Sequence, residues 1–328
     1  AINNCNFFKL TITRFNMNFI VFPGQGSQKI GMGKELSETF VEAKEVFEEV
    51  NDALNFNLTK IMWEGSENDI SLTSNAQPAL MACSVATYRV LKKVINKNLS
   101  DLANYICGHS LGEYTAMTVA EVFSLKECAT LLRLRGKSMQ EAVPIGKGSM
   151  AAFMGVDVNT TKKILKEVES YGVCDIGNDN SDGQVVISGD TLAVEKAIDL
   201  SKDFGVKRAV KLPVSAPFHC ELMSKATNIM RDKIINTNFQ KPKNTIISNV
   251  TGLETQEVEK IKSLLIEQIE RPVLWRESVI YMIKNGVSNF VEIGPGKVLS
   301  GLVKRIDKTI NINTINKLED LKNIKIND

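Results

Sequence analysis

Histidine is nearly missing from this chain: His109 and His219 are the only two in 328 residues. Any chemistry that needs an imidazole therefore has two candidates, and a histidine-rich metal cluster is excluded. The six cysteines (Cys5, Cys83, Cys107, Cys128, Cys174 and Cys220) are scattered, with no C-x-x-C pair. That spacing gives no zinc site and fits a reducing compartment. No apolar run approaches the length needed to span a bilayer, so a soluble chain with no membrane partner is expected. A formal net charge of only +2 excludes a general nucleic-acid binder, whose basic surplus is larger and clustered. With 43% hydrophobic and 24% charged residues, the chain has enough material for one large domain and a smaller one.

Acidic residues are absent from the start of the chain, where the first is Glu35. Residues 1–16 are rich in Asn and Phe and carry Lys9 and Arg14. This composition fits an organelle transit peptide or its remnant, and equally a disordered or vector-derived tail. A plastid-type organelle is the expected setting, with mitochondrion or cytoplasm as alternatives. There is no long apolar h-region of a secretory signal.

What is present alternates between strand and helix. Phe19-Ile20-Val21-Phe22 and Tyr105-Ile106-Cys107 are short continuous apolar runs, as buried parallel strands are. Apolar residues recur at helical spacing from Lys34 to Leu54, Ala76 to Ile95, Leu111 to Val119 and Leu125 to Met139. This predicts a three-layer α/β domain with a mostly parallel sheet. After Pro144 the order changes to β-α-β-β-α-β, ending near Pro213, which is a ferredoxin-like signature. The expected organisation is a large α/β domain over 17–143 and 214–328, interrupted by a small ferredoxin-like domain over 144–213. Strands are expected at Thr245–Asn249 and Asn289–Ile293, and the polar tail from Asn311 is expected to be weakly held.

Gly108-His109-Ser110-Leu111-Gly112 is a G-x-S-x-G pattern between a strand and a helix, the context of a serine nucleophile on a sharp turn. A hydroxyl needs a base to become nucleophilic. His109, next to the serine, projects badly for that bond, so His219 is the stronger candidate; a Lys or carboxylate base stays open. The Leu111 N–H at the helix start favours developing negative charge. The loop Pro23-Gly24-Gln25-Gly26-Ser27-Gln28 follows the first strand and could bring a second N–H, from Gln25; it lacks the G-K-[ST] ending of a phosphate loop. Arg135 could grip a carboxylate through its planar fork, or lie on a helix surface.

Together these segments resemble the malonyl-CoA:acyl carrier protein transacylase family. The resemblance rests on Phe22–Gln28, Gly108–Tyr114, Arg135-Gly136-Lys137 with Met139–Pro144, Gly183–Gly189 and Glu292–Leu299, in family order. It implies an α/β-hydrolase-like large domain and malonyl transfer from malonyl-CoA to the phosphopantetheine thiol of acyl carrier protein, with no bound cofactor and no metal. By the resemblance, Ser110 takes the acyl group and His219 is base and then acid. Gln25 and Leu111 form the oxyanion hole, Arg135 holds the malonyl carboxylate, and the Gln268 backbone carbonyl orients the imidazole. Asn180 and Asn249 match pocket-lining asparagines, His109 adjoins the substrate, and Phe218 suits malonyl over branched acyl groups. Acyl carrier proteins are acidic, so Lys304 and Arg305 are candidates for docking them. A monomer is expected. The competing readings are a serine thioesterase or other hydrolase, against which stands the missing His-Gly-Gly-Gly loop, and a non-catalytic acyl-CoA-binding protein.

Overall fold

Strand β1 (Phe19–Phe22) is buried along its whole length because it runs through the middle of a sheet, with β2 (Tyr105–Gly108) on one side and β9 (Asn289–Ile293) on the other, both parallel to it. Its side chains alternate between two cores. Ile20 and Phe22 pack with Ile106 and the helices Thr73–Ile95, Leu111–Val119 and Leu125–Glu141 on one face. Phe19 and Val21 pack with Cys107, Trp275, Phe290 and Leu299 on the other. Helices on both faces of a parallel sheet give three layers. The computed structural model describes residues 19–98, 103–214 and 216–322. The leader expected at residues 1–16 lies outside them. Among the described residues, no helix is long and apolar enough to cross a membrane.

The six-stranded sheet has the order β10-β9-β1-β2-β7-β8, with β7 at Thr245–Ile247, β8 at Glu254–Thr255 and β10 at Asn311–Ile315. Only the β7–β8 pair is antiparallel. Phe22 is in register with Gly108, so the loops that leave β1 and β2 emerge side by side. Open parallel sheets bind ligands at this carboxyl end.

A second sheet, all antiparallel, has the order β4-β5-β3-β6, from β3 (Gly148–Met154), β4 (Cys174–Ser181), β5 (Gln184–Asp190) and β6 (Arg208–Lys211). The helices Val158–Glu167 and Thr191–Leu200 cover one face through Ile164, Val194 and Ala197 against Phe153 and Ile187. From the opposite face Met150, Ala152 and Val186 join the main core. The Asp179 N–H donates to Val273 O at 3.0 Å, and the Val273 N–H to Gly177 O at 2.9 Å. Arg276 adds Nε bonds of 3.1 and 3.0 Å to the buried Asp179 carboxylate. Strand β4 is thus fastened to the segment that carries Gln268.

Several elements differ from expectation. The tail from Asn311 is not loose: β10 pairs parallel with β9 from Asn311↔Asn289 to Ile315↔Ile293, and the helix Leu318–Lys322 buries Leu318 and Leu321. Its polar alternation is that of an edge strand with one wet face. The expected strand at Thr245–Asn249 stops at Ile247, freeing Asn249 to turn beneath the serine loop. The helix from Lys34 is two, Lys34–Thr39 and Val41–Leu54, broken at Phe40, whose φ of −123° and ψ of 129° are extended.

Candidate active site

Two glycines make the serine turn possible. A Cβ on Gly108 would lie 2.0 Å from Gly112 O, and one on Gly112 would lie 2.3 Å from Phe22 O. Any larger residue would push the helix Leu111–Val119 away from the strand ends. Between them Ser110 takes φ 54° and ψ −108°, a conformation L residues rarely adopt. Such strain costs about 1–3 kcal/mol and persists only when surroundings enforce it. Here Asn249 enforces it: the Ser110 N–H donates to Asn249 Oδ1 at 2.7 Å, and Asn249 Nδ2 donates to Gly108 O at 2.8 Å.

The strained backbone lifts Ser110 Oγ to within 2.8 Å of His219 Nε2. His219, itself at φ 61°, has Nδ1 2.7 Å from Gln268 O. A carbonyl only accepts, so Nδ1 carries the proton and Nε2 presents its lone pair to the serine. Burial, with the Arg135 charge second, pushes His219 down to about 3. It is therefore neutral, the form a base requires. The base alternatives left open by the sequence resolve geometrically: among the described residues Ser110 Oγ bonds to His219 and Arg135 and to no Lys or carboxylate, and His109 turns elsewhere, with its Nε2 2.9 Å from Asn180 Oδ1.

Arg135 is wholly buried, on the helix Leu125–Glu141. Its Nη1 donates to Gln77 Oε1 at 2.9 Å, and its Nη2 to Gln268 Oε1 at 2.9 Å and to Ser110 Oγ at 3.0 Å. The helix-surface alternative is thereby set aside. A buried guanidinium within reach of the nucleophile fits an anionic group carried by the substrate.

Ser110, His219, Arg135, Leu111, Gln25, His109 and Phe218 all line one cavity of about 700 Å³, as do Met139, Met150 and Asn178. Pocket lining was expected of Asn180 and Asn249 too, but both stand behind the wall, one against His109 and one beneath Ser110. Asn178 holds the lining position on β4. Lys304 and Arg305 lie outside the cavity, exposed on the helix Val298–Ile306. Lys304 Nζ donates to the carbonyls of Lys308 and Ile310, and Arg305 to Gln184 Oε1.

Three features went unread in the sequence. Gln77 anchors Arg135 from within a largely apolar helix, where a buried amide was the available signal. The Gln268 side chain contributes as well as its backbone, donating through Nε2 to Ser110 O at 3.0 Å. Glu113, the sixth residue of the Gly108–Tyr114 motif, is buried with Oε2 2.6 Å from Gln268 Nε2, and burial pushes it up to about 7.

Known proteins resemble this chain along most of its length. The family model of the acyl transferase domain matches residues 19–320. The malonyl CoA-acyl carrier protein transacylase of Bacillus subtilis is 43% identical over 291 residues, 88% of this chain and 90% of that protein. Its counterpart in Escherichia coli K12 is 40% identical over 90% of this chain and 94% of its own length. The crystal structure of the acyl-carrier-protein-S-malonyltransferase of Bartonella henselae superposes with a TM-score of 0.91 at 47% identity, covering 93% of this chain and 98% of that one. A malonyl-transacylase in complex with a type II PKS acyl-carrier protein superposes at 0.89 with 39% identity, over 93% of this chain and 98% of that one. The chain belongs to the acyl transferase family, and within it to the malonyl-CoA:acyl carrier protein transacylases.

Proposed function

We propose that this enzyme moves a malonyl group from malonyl-CoA to the phosphopantetheine thiol of an acyl carrier protein, through a malonyl ester on Ser110. The observation that carries the reading is the buried Arg135 guanidinium beside the Ser110 hydroxyl, at 3.0 Å. A neutral acyl group has no use for that charge; a malonyl carboxylate has. The names of the relatives support the same reading.

The reaction runs in two halves. His219 Nε2 takes the Ser110 proton while Oγ attacks the thioester carbonyl, and the Gln268 carbonyl holds the imidazole in line. The backbone N–H groups of Leu111 and Gln25 receive the oxyanion; losing one such donor typically costs about 10²–10³ in rate. Collapse breaks the C–S bond, and the imidazolium returns its proton to the departing CoA sulfur. In the second half the carrier thiol gives its proton to His219, attacks the malonyl-serine ester and regenerates the Ser110 hydroxyl. A malonyl carboxylate on Arg135 offsets the guanidinium charge that disfavours the imidazolium, so the correct substrate raises the basicity of its own catalyst.

No acidic side chain is required behind the histidine, which makes this a Ser-His dyad and sets it apart from a Ser-His-Asp triad. Carrier docking is assigned to Lys304 and Arg305, and the working form to a monomer, which light scattering tests against 36.3 kDa. The direct test of the function is the mass of the protein after incubation with malonyl-CoA: one malonyl unit is gained on Ser110 and discharged by carrier thiol.

A further inference from the structure

Glu113 is a carboxylate buried behind the site, against Gln268, and the reaction as written does not use it. It lies in the first turn of the helix that begins at the nucleophile, 1% exposed. Its Oε2 accepts from Gln268 Nε2 at 2.6 Å and from the Asn249 N–H at 3.3 Å, while Oε1 is buried with no partner among the described residues. Above about pH 7, where Glu113 has lost its proton, the carboxylate accepts and never donates. It therefore demands the NH₂ end of the Gln268 amide, leaving Oε1 to face Arg135 Nη2 at 2.9 Å. A reversed amide would set its oxygen against the carboxylate and its NH₂ against the guanidinium, which is unfavourable at both ends. Anion, amide and cation form a relay in which the charge of Glu113 fixes the polarity of Gln268, and Gln268 fixes the guanidinium.

We propose that Glu113 is a positioning residue that holds Arg135, through the Gln268 side-chain amide, in the orientation that selects a carboxylate-bearing acyl group. The inference rests on the malonyl reading of the site and adds a specificity determinant to it. Glu113 does not touch substrate. Its contribution belongs in the ratio of malonyl to acetyl transfer, because the acetyl group has no carboxylate for Arg135 to hold.

Substitution Glu113→Gln keeps the shape and removes the charge, so the Gln268 amide loses its enforced polarity. The full-length enzyme is assayed with malonyl-CoA and acetyl-CoA, and Ser110 is labelled with a fluorophosphonate to check the dyad. The expected result is a malonyl-to-acetyl ratio of kcat/KM about tenfold or more below wild type, the size of a hydrogen-bonded charge lost. In an Arg135→Ala background the same substitution should shift the ratio by no more than about twofold, since interacting sites are non-additive. Should Glu113→Gln fail to fold, Gln268→Met asks the same question, because its backbone carbonyl still serves His219 while the amide is gone; the same fall in ratio is expected. An unchanged ratio, with both rates falling together, would reduce Glu113 to a structural role and overturn the proposal. A tenfold fall that persists without Arg135 would overturn it too. A wild-type enzyme with no preference for malonyl contradicts the malonyl reading as well, whereas a preference retained by the variants contradicts this inference alone.

Discussion

The guanidinium of Arg135 donates to the hydroxyl of Ser110 at 3.0 Å, so a buried positive charge and the nucleophile are neighbours. Replacing Arg135 by Ala should therefore cut malonyl kcat/KM by about 2–5 kcal/mol, the cost of removing one partner of a buried charge pair. Acetyl transfer should hold or improve. Parallel loss of both activities in steady-state assays would refute the assignment of Arg135 to the carboxylate.

The glycine at 112 is a steric requirement. Gly112→Ala puts a methyl 2.3 Å from Phe22 O, a backbone atom that cannot swing aside. The expected loss of stability is about 1–3 kcal/mol or more, with loss of Ser110 reactivity. Thermal unfolding combined with active-site labelling measures both. A variant with unchanged Tm and labelling would show that the elbow tolerates a wider turn.

The acid limb of Ser110 reactivity should lie well below the ordinary histidine range. Burial lowers His219 to about 3, so it remains a neutral base where an exposed imidazole is already protonated. Labelling of Ser110 by a fluorophosphonate should stay nearly flat from about pH 8 to about pH 5, and a midpoint near 6.5 would contradict the burial argument. The same shift affects stability. The unfolded chain binds the proton more tightly, so the His219 contribution is fully present above about 6.5 and is lost as pH falls toward about 3. Glu113, raised to about 7, acts in the opposite sense: the folded protein takes its proton first, so stability from Glu113 is present below the unfolded value of 4.5 and lost as pH rises through about 7.

Docking of an acidic carrier is a surface property separable from acylation. Reversing charge at Lys304 and Arg305 should raise KM for carrier protein and leave Ser110 acylation by malonyl-CoA unaltered. An equal loss in both half-reactions would move the docking surface elsewhere.

Much of this was legible before any fold was known, for reasons that differ by residue. Ser110 and the first two strands are local: a buried parallel strand is a short apolar run, and a strained turn between strand and helix needs its glycines. His219 followed from scarcity, since so few imidazoles were available. Arg135 was ambiguous from composition and gained its role only through the family resemblance, because burial of a guanidinium depends on packing between distant helices. Gln77, Glu113 and the Gln268 side chain were not placed in the site because their partners lie 58, 155 and 133 positions away in sequence. Strand β10 was misread because an edge strand buries only one face, and its polar alternation looks like a tail.

The central claim is a malonyl ester on Ser110 that waits for a carrier thiol. Incubating the protein with malonyl-CoA and weighing it intact tests this directly, with Ser110→Ala as control. The account predicts a species one malonyl unit heavier, stable in water, absent from the control, and discharged on adding carrier protein with its phosphopantetheine. Rapid release of free malonate without carrier would mark a hydrolase instead, and a folded protein that never gains the malonyl mass would contradict catalysis by this serine altogether.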